Sequence, residues 1–147
     1  MEIELKRVEY SERMSEETSC FCADVYAGGV KLGTAQNDGH GGETILRGDF
    51  KALREYAETL PPIAISLGEC SFEHKQTAED LVEAALHRHL LRKDMRKLMK
   101  KHTLFVRDGK LYQANPGITQ MADNCILLNT LPEDAALALY MKYGGAA

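Results

Sequence analysis

Cys20-Phe21-Cys22-Ala23-Asp24-Val25-Tyr26-Ala27, then Gly28-Gly29, then Val30-Lys31-Leu32-Gly33-Thr34-Ala35-Gln36 is the stretch that decides the fold. Two strand-forming runs flank a pair of glycines, which tolerate the positive φ angles of a type I′ turn, so the stretch reads as a tight β-hairpin. Counting across a two-residue turn sets Tyr26 against Lys31, Val25 against Leu32, Asp24 against Gly33 and Ala23 against Thr34. The Val25 and Ala23 pairs are expected to face inward.

Upstream, Ile3–Val8 alternates and reads as a strand, with Glu9–Ser19 as polar loop. Downstream, the glycine-rich loop Asn37–Gly42 leads to a short strand over Glu43–Arg47. Asp49 is placed to cap a helix running to Thr59, with Phe50, Leu53, Tyr56, Ala57 and Leu60 at helical spacing, and Pro61-Pro62 stops it. Ile63–Leu67 is expected as a buried strand and Gly68–Lys75 as loop.

Thr77-x-x-Asp80 resembles a capping box and opens the longest helix, to about Lys101. Its apolar stripe shifts from Leu81, Val82, Ala85 and Leu86 to Leu91, Met95, Leu98 and Met99, so its halves are expected to pack against different partners. Asp108-Gly109 between Thr103–Arg107 and Lys110–Ala114 is a second hairpin. After irregular chain over Asn115–Asn124, Ile126–Leu128 reads as a strand. Thr130-x-x-Glu133 with Pro132 predicts a last helix, closed by Gly144, that buries Leu137, Ala138, Tyr140 and Met141. The expected fold is one α+β domain over residues 1–147, a mostly antiparallel sheet built from hairpins and packed by three helices.

The 147 residues are 44% hydrophobic and 27% charged, which is ordinary globular composition and argues against disorder. The start, Met1-Glu2-Ile3-Glu4, has no apolar core of a signal peptide, and no run reaches the length of a membrane span. A cytoplasmic protein with no membrane partner is expected. Cys20, Cys22, Cys70 and Cys125 are accordingly read as reduced thiols.

The net charge of −4 hides an asymmetry. Between His87 and His102 stand Arg88, Arg92, Lys93, Arg96, Lys97, Lys100 and Lys101 against Asp94 alone, a local +6 in a chain whose remainder carries −10. Such a segment points to a nucleic acid or an acidic or nucleoprotein partner. Arg88, Arg92 and Arg96 recur every four residues along one helix side, with Lys93, Lys97 and Lys100 beside them. The bland reading is a solvated helix face. No aromatic residue interrupts the helix, so base stacking on it is not expected.

The pattern Phe21-x-Ala23-x-Val25-Tyr26-x-x-Gly29-x-x-x-Gly33-x-x-x-Asn37-x-Gly39-x-Gly41-Gly42 resembles a family of small, uncharacterised bacteriophage and mobile-element proteins. Leu60-Pro61-Pro62 and the basic helix fit the same layout, and the resemblance covers about residues 18 to 102. It brings no activity with it. It implies an accessory protein acting inside a bacterial host cell, of a kind that often inhibits host defences by binding.

The loop Asn37, Asp38, Gly39, His40, Gly41 and Gly42 is the second candidate site. Successive glycine-rich amides can form an anion nest, and His40 and Asp38 are candidate catalytic groups for proton transfer. The structural alternative is a loop whose Asn37 and Asp38 make turn hydrogen bonds. It lacks the Gly-Lys-Ser/Thr ending of a P-loop.

No metal site or cofactor is expected. Cys20 and Cys22 are read as diverging, His87 and His89 diverge on a helix, and Cys70-x-x-x-His74 is a lone pair, none matching structural zinc spacing. Carboxylates at Asp24, Asp38 and Glu43 with His40, or Glu69 and Glu73 with His74, would form catalytic clusters only if folding converged them. The favoured expectation is a non-catalytic binding or inhibitor protein. The alternatives are an enzyme acting on a phosphorylated molecule or nucleic acid through the Asn37–Gly42 loop, and a homo-oligomeric structural protein.

Overall fold

The computed structural model describes residues 1–144 and is α+β, with nine strands in antiparallel sheets and three α-helices among those residues. The chain divides into two compact units, Met1–His87 and Arg88–Ala147.

The first unit opens with β1 (Ile3–Ser11), β2 (Cys20–Ala27), β3 (Val30–Asp38) and β4 (Ile45–Gly48), a four-stranded antiparallel meander in that spatial order. Gly28 and Gly29 turn the β2–β3 hairpin at φ 57° and 82°, and Tyr26 pairs with Lys31 as expected. The register then slips by one. A bulge sets Val25 against Gly33, Asp24 against Thr34 and Ala23 against Ala35, which corrects the three pairings expected beyond Tyr26. Leu32 is the extra residue, and it delivers Gly33 opposite Gly48 of β4. The backbones meet so closely there that a Cβ on Gly33 would strike the Arg47 carbonyl oxygen, and one on Gly48 that of Leu32.

β1 runs three residues past its expected end, kinked by a bulge between Lys6 and Glu9 in which Arg7 sits at φ 49°. Ile3 and Leu5 of β1, Phe21, Ala23 and Val25 of β2 and Ala35 of β3 alternate into the core. Helix α1 (Lys51–Thr59) adds Leu53 and Ala57, with Phe50 just ahead of it. Phe50, not Asp49, is its N-cap residue; the Asp49 carboxylate accepts the Lys51 N–H from one place earlier, at 3.3 Å.

Ile63–Leu67 is a strand, β5, but an exposed one. The segment expected as loop supplies its partner, β6 (Cys70–His74), and the two form a separate two-stranded hairpin. The pairing brings Ile63, Leu67 and Phe72 to one face, where they are 48%, 66% and 49% exposed. The apolar run is thus half of an amphipathic hairpin rather than a core strand.

Helix α2 (Ala78–Lys101) begins in the first unit and ends in the second. Ala78, Val82, Ala85 and Leu86 are buried in its first half. Its capping box closes as the spacing predicts. Thr77 N–H donates to Asp80 Oδ2 (2.9 Å) and Asp80 N–H to Thr77 Oγ1 (3.2 Å). Asp80 Oδ2 also bonds His74 Nε2 at 2.7 Å, tying β6 to the helix start.

Burial alone would raise the Asp80 carboxyl. The bonds from His74 and Thr77 outweigh it and hold the pKa below the ordinary 3.8. A depressed folded-state pKa means stabilisation complete above 3.8 and lost as the pH falls through the lower folded value. Asp80→Asn is therefore expected to melt below the wild type at neutral pH and to converge with it in acid. Thermal melts across that range check this, and a constant gap at all pH values would refute it.

The second unit contains the remainder of α2, then β7 (Thr103–Arg107), β8 (Lys110–Ala114), β9 (Cys125–Leu127) and α3 (Glu133–Tyr143), with the sheet in the order β8-β7-β9. β7 and β8 have the expected bounds, turned by Asp108 and Gly109 at φ 49° and 74°. β9 starts and ends one residue before the expected strand. Met95, Leu104, Val106, Leu128, Ala136, Leu137 and Tyr140 form the core, with Leu91, Leu98 and Met99 packed against it.

The box expected at Thr130 does not form. Pro132 is the N-cap residue, the Thr130 hydroxyl donates to the Leu127 carbonyl (3.0 Å), and Glu133 is engaged by Arg96. Ala136, one turn before Tyr140, takes the core position expected of Ala138, which is exposed, and Met141 is half-buried. Gly144 closes the helix, donating to the Tyr140 carbonyl at 2.9 Å. No helix among the described residues is long and apolar enough to cross a membrane.

Candidate functional site

The glycine-rich loop is organised from within. Asn37 and Asp38 are the last residues of β3, and Asn37 is buried. Its Oδ1 accepts from the Thr18 hydroxyl (2.7 Å) and the Gly39 N–H (2.9 Å). Its Nδ2 donates to the Gly42 carbonyl (3.0 Å) and to Thr44 Oγ1 (3.3 Å). The Thr44 hydroxyl donates in turn to Glu83 Oε1 of α2 at 2.7 Å.

The next amides are engaged too. His40 N–H donates to Asp38 Oδ1 (3.1 Å) and Gly41 N–H to Thr18 Oγ1 (3.3 Å). The Gly39, His40 and Gly41 amides that a nest would offer an anion thus already meet the chain's own oxygens. Gly39 sits at φ 86°, where a Cβ would strike the Met14 carbonyl, while its own carbonyl accepts from Glu16 and Glu17 (3.2 and 3.0 Å). His40, with Nδ1 3.2 Å from Glu16 Oε2, is exposed, as are Gly41 and Gly42.

The carboxylates weighed as a cluster do not converge. Asp24, mid-strand, lies 3.1 Å from Arg7 Nε and 3.6 Å from Lys31 Nζ, charge contacts without hydrogen-bond alignment. Asp38 stands at the other end of the hairpin, opposite Cys20. His74 is committed to Asp80 rather than to Glu69 or Glu73. Cys20 and Cys22 do not diverge: side chains two apart on a strand share a face, and buried Phe21 points the other way. With Glu9, Gln36 and Asp38 they line an open cleft of about 320 Å³. Among the described residues no three His, Cys, Asp or Glu side chains gather closely enough to hold a metal.

The basic half of α2 separates into two sets. Arg96 grips Glu133 of α3 with both arms, Nε to Oε2 at 2.9 Å and Nη2 to Oε1 at 2.6 Å. Arg92 Nη2 donates to Asp134 Oδ1 (3.1 Å), and its Nε lies 3.3 Å from Glu133 Oε1. Hydrogen bonding from Arg96 holds the Glu133 carboxyl below its usual value, and Glu133 in turn raises Arg96. These arginines dock α3.

Arg88, Lys93, Lys97, Lys100 and Lys101 are exposed and, among the described residues, have no acidic partner. Lys93, Lys97, Lys100 and Lys101 fall at i, i+4, i+7 and i+8, one continuous stripe. His89 stands one turn before Lys93. Burial chiefly, and then the charges of Lys93, Arg92 and Arg96, lower its pKa. Seventeen acidic against eight basic residues give the first unit −9, whereas ten basic against five acidic give the second +5.

A further feature lies on the second sheet. Phe105 of β7 and Tyr112 of β8 stack across the strands with ring centroids 5.3 Å apart and planes at 21°. Sequence reading placed both strands but passed over this pair, although counting back from the Asp108-Gly109 turn aligns the two positions. No protein-family model, no curated protein and no solved structure matches the chain.

Proposed function

We propose that this chain is a non-catalytic binding protein whose ligand is a nucleic acid or a nucleoprotein, engaged through the lysine stripe of α2. The observation that carries the reading is Lys93, Lys97, Lys100 and Lys101 on one exposed helix face with no internal counter-charge among the described residues. Phosphates replacing counterions along such a row supply sequence-independent affinity. The Asn37–Gly42 loop then serves as framework, since the Asn37 carboxamide and the Gly39, His40 and Gly41 amides are engaged internally. The resemblance over residues 18 to 102 supports the setting of a phage or mobile-element accessory protein acting inside a bacterial host cell.

Arg92 and Arg96 are poor test positions because they hold α3. Lys97→Ala and Lys100→Ala are the clean variants. Fluorescence anisotropy with labelled DNA and RNA is expected to show log affinity falling linearly with log salt. Each lysine removed should reduce that slope by about 1. Binding that ignores both salt and the lysines would overturn the reading.

A further inference from the structure

We infer that the outer face of the β8-β7-β9 sheet is a stacking platform for the bases of a single-stranded nucleic acid. The inference rests on the proposed nucleic-acid role and names the form of ligand.

In an antiparallel sheet, residues directly opposite share a face, as do residues two apart on one strand. Leu104 and Val106 are buried in the core, so Phe105 and Arg107 belong to the opposite face of β7. The register places Tyr112 and Leu127 beside Phe105, and Lys110 and Cys125 beside Arg107. The outer face therefore presents an aromatic row and, next to it, a cationic one. Tyr112 is 41% exposed and Phe105 half-buried, so the open ring of the stacked pair is that of Tyr112. The Arg107 side chain is 55% exposed, and its nearest carboxylate, Asp108 in the turn, is 3.8 Å away.

That combination selects the occupant. Exposed aromatic faces alone would suit any apolar partner. A neighbouring row of Arg107 and Lys110, in a unit carrying +5, favours a ligand that alternates flat rings with anions. A single strand does so, with its bases on the rings and its phosphates on the cations, whereas a duplex hides its base faces. Arg107 can also stack, its guanidinium being planar and cationic.

The test compares two labelled strands of equal length, an oligothymidine and an abasic deoxyribose-phosphate strand, against wild type, Tyr112→Ala and Tyr112→Leu. Wild type is expected to bind oligothymidine about tenfold to a hundredfold more tightly than the abasic strand. Tyr112→Ala should abolish that preference while keeping the abasic affinity. Tyr112→Leu, which fills the same strand position without a π face, should do the same if the alanine variant fails to fold. Equal wild-type binding of both strands, or a preference surviving in Tyr112→Leu, overturns the platform and leaves the lysine stripe standing. Binding of neither strand also overturns the platform, and the lysine stripe is then judged on duplex DNA and RNA in the salt titration with Lys97→Ala and Lys100→Ala.

Discussion

Leu104→Ala is expected to cost about 2–5 kcal/mol of stability, the range for deleting a fully buried leucine and leaving a cavity. Leu104 has no exposed surface, stands at the middle of its unit's sheet and shares a cluster with Met95, Leu128, Leu137 and Tyr140. Its backbone N–H is also fixed, donating to Asn129 Oδ1 at 2.8 Å, so the strand has little freedom to collapse onto the void. Domains are stable by only about 5–15 kcal/mol in total, so one such loss is a large fraction. Ile126→Ala supplies the control: at 45% exposure on β9 it should change stability far less. Urea unfolding reads both. A midpoint for Leu104→Ala no lower than that for Ile126→Ala would contradict the packing described.

Asn37→Asp is the second large effect, although it exchanges one atom for another of the same size. The Asp oxygen that replaces Nδ2 would face the Gly42 carbonyl, acceptor against acceptor. Thr44 cannot relieve it, because its hydroxyl already donates to Glu83. A buried carboxylate left so is expected to cost about 3 kcal/mol or more at neutral pH. The sign with pH is the reverse of that for Asp80. The folded protein would raise the pKa of the new carboxyl, so the penalty is full above that raised value and shrinks as the pH falls and the acid becomes a donor to Gly42. Urea midpoints at neutral and acid pH measure it. An Asn37→Asp variant as stable as wild type at neutral pH would show that the carboxamide does not organise the loop.

Local signals read true where the chemistry was local. Gly28-Gly29 and Asp108-Gly109 each adopt the turn their residues require, and Thr77 with Asp80 closes its box within four residues. The failures have long-range causes. The β2–β3 register slipped because Gly33 meets Gly48 on a third strand, an encounter that no two-strand count contains. The Thr130 box failed because Glu133 is claimed by Arg96, 37 residues earlier. The apolar content of Ile63–Leu67 suggests a core strand, but the strand pairs only with β6 in a two-stranded sheet, so even its apolar face stays largely exposed. The candidate site was legible as a cationic helix. Which of its cations stay unpaired was not, since that depends on where α3 docks.

The Gly33–Gly48 contact also bears on how relatives of this chain are to be recognised. In many packed pairs a larger residue on one side is offset by a smaller one on the other, and the two positions drift together. Here each position is obstructed by main chain, the Arg47 and Leu32 carbonyls, and neither residue can shrink further. No second substitution rescues a first. Any descendant that keeps β3 paired with β4 in this register must hold both glycines independently. Lysines in a solvated stripe, by contrast, exchange freely with arginine or shift by a turn. Two glycines about fifteen residues apart, flanked by alternating strands, are therefore a sharper signature of common ancestry than the basic helix that first draws the eye.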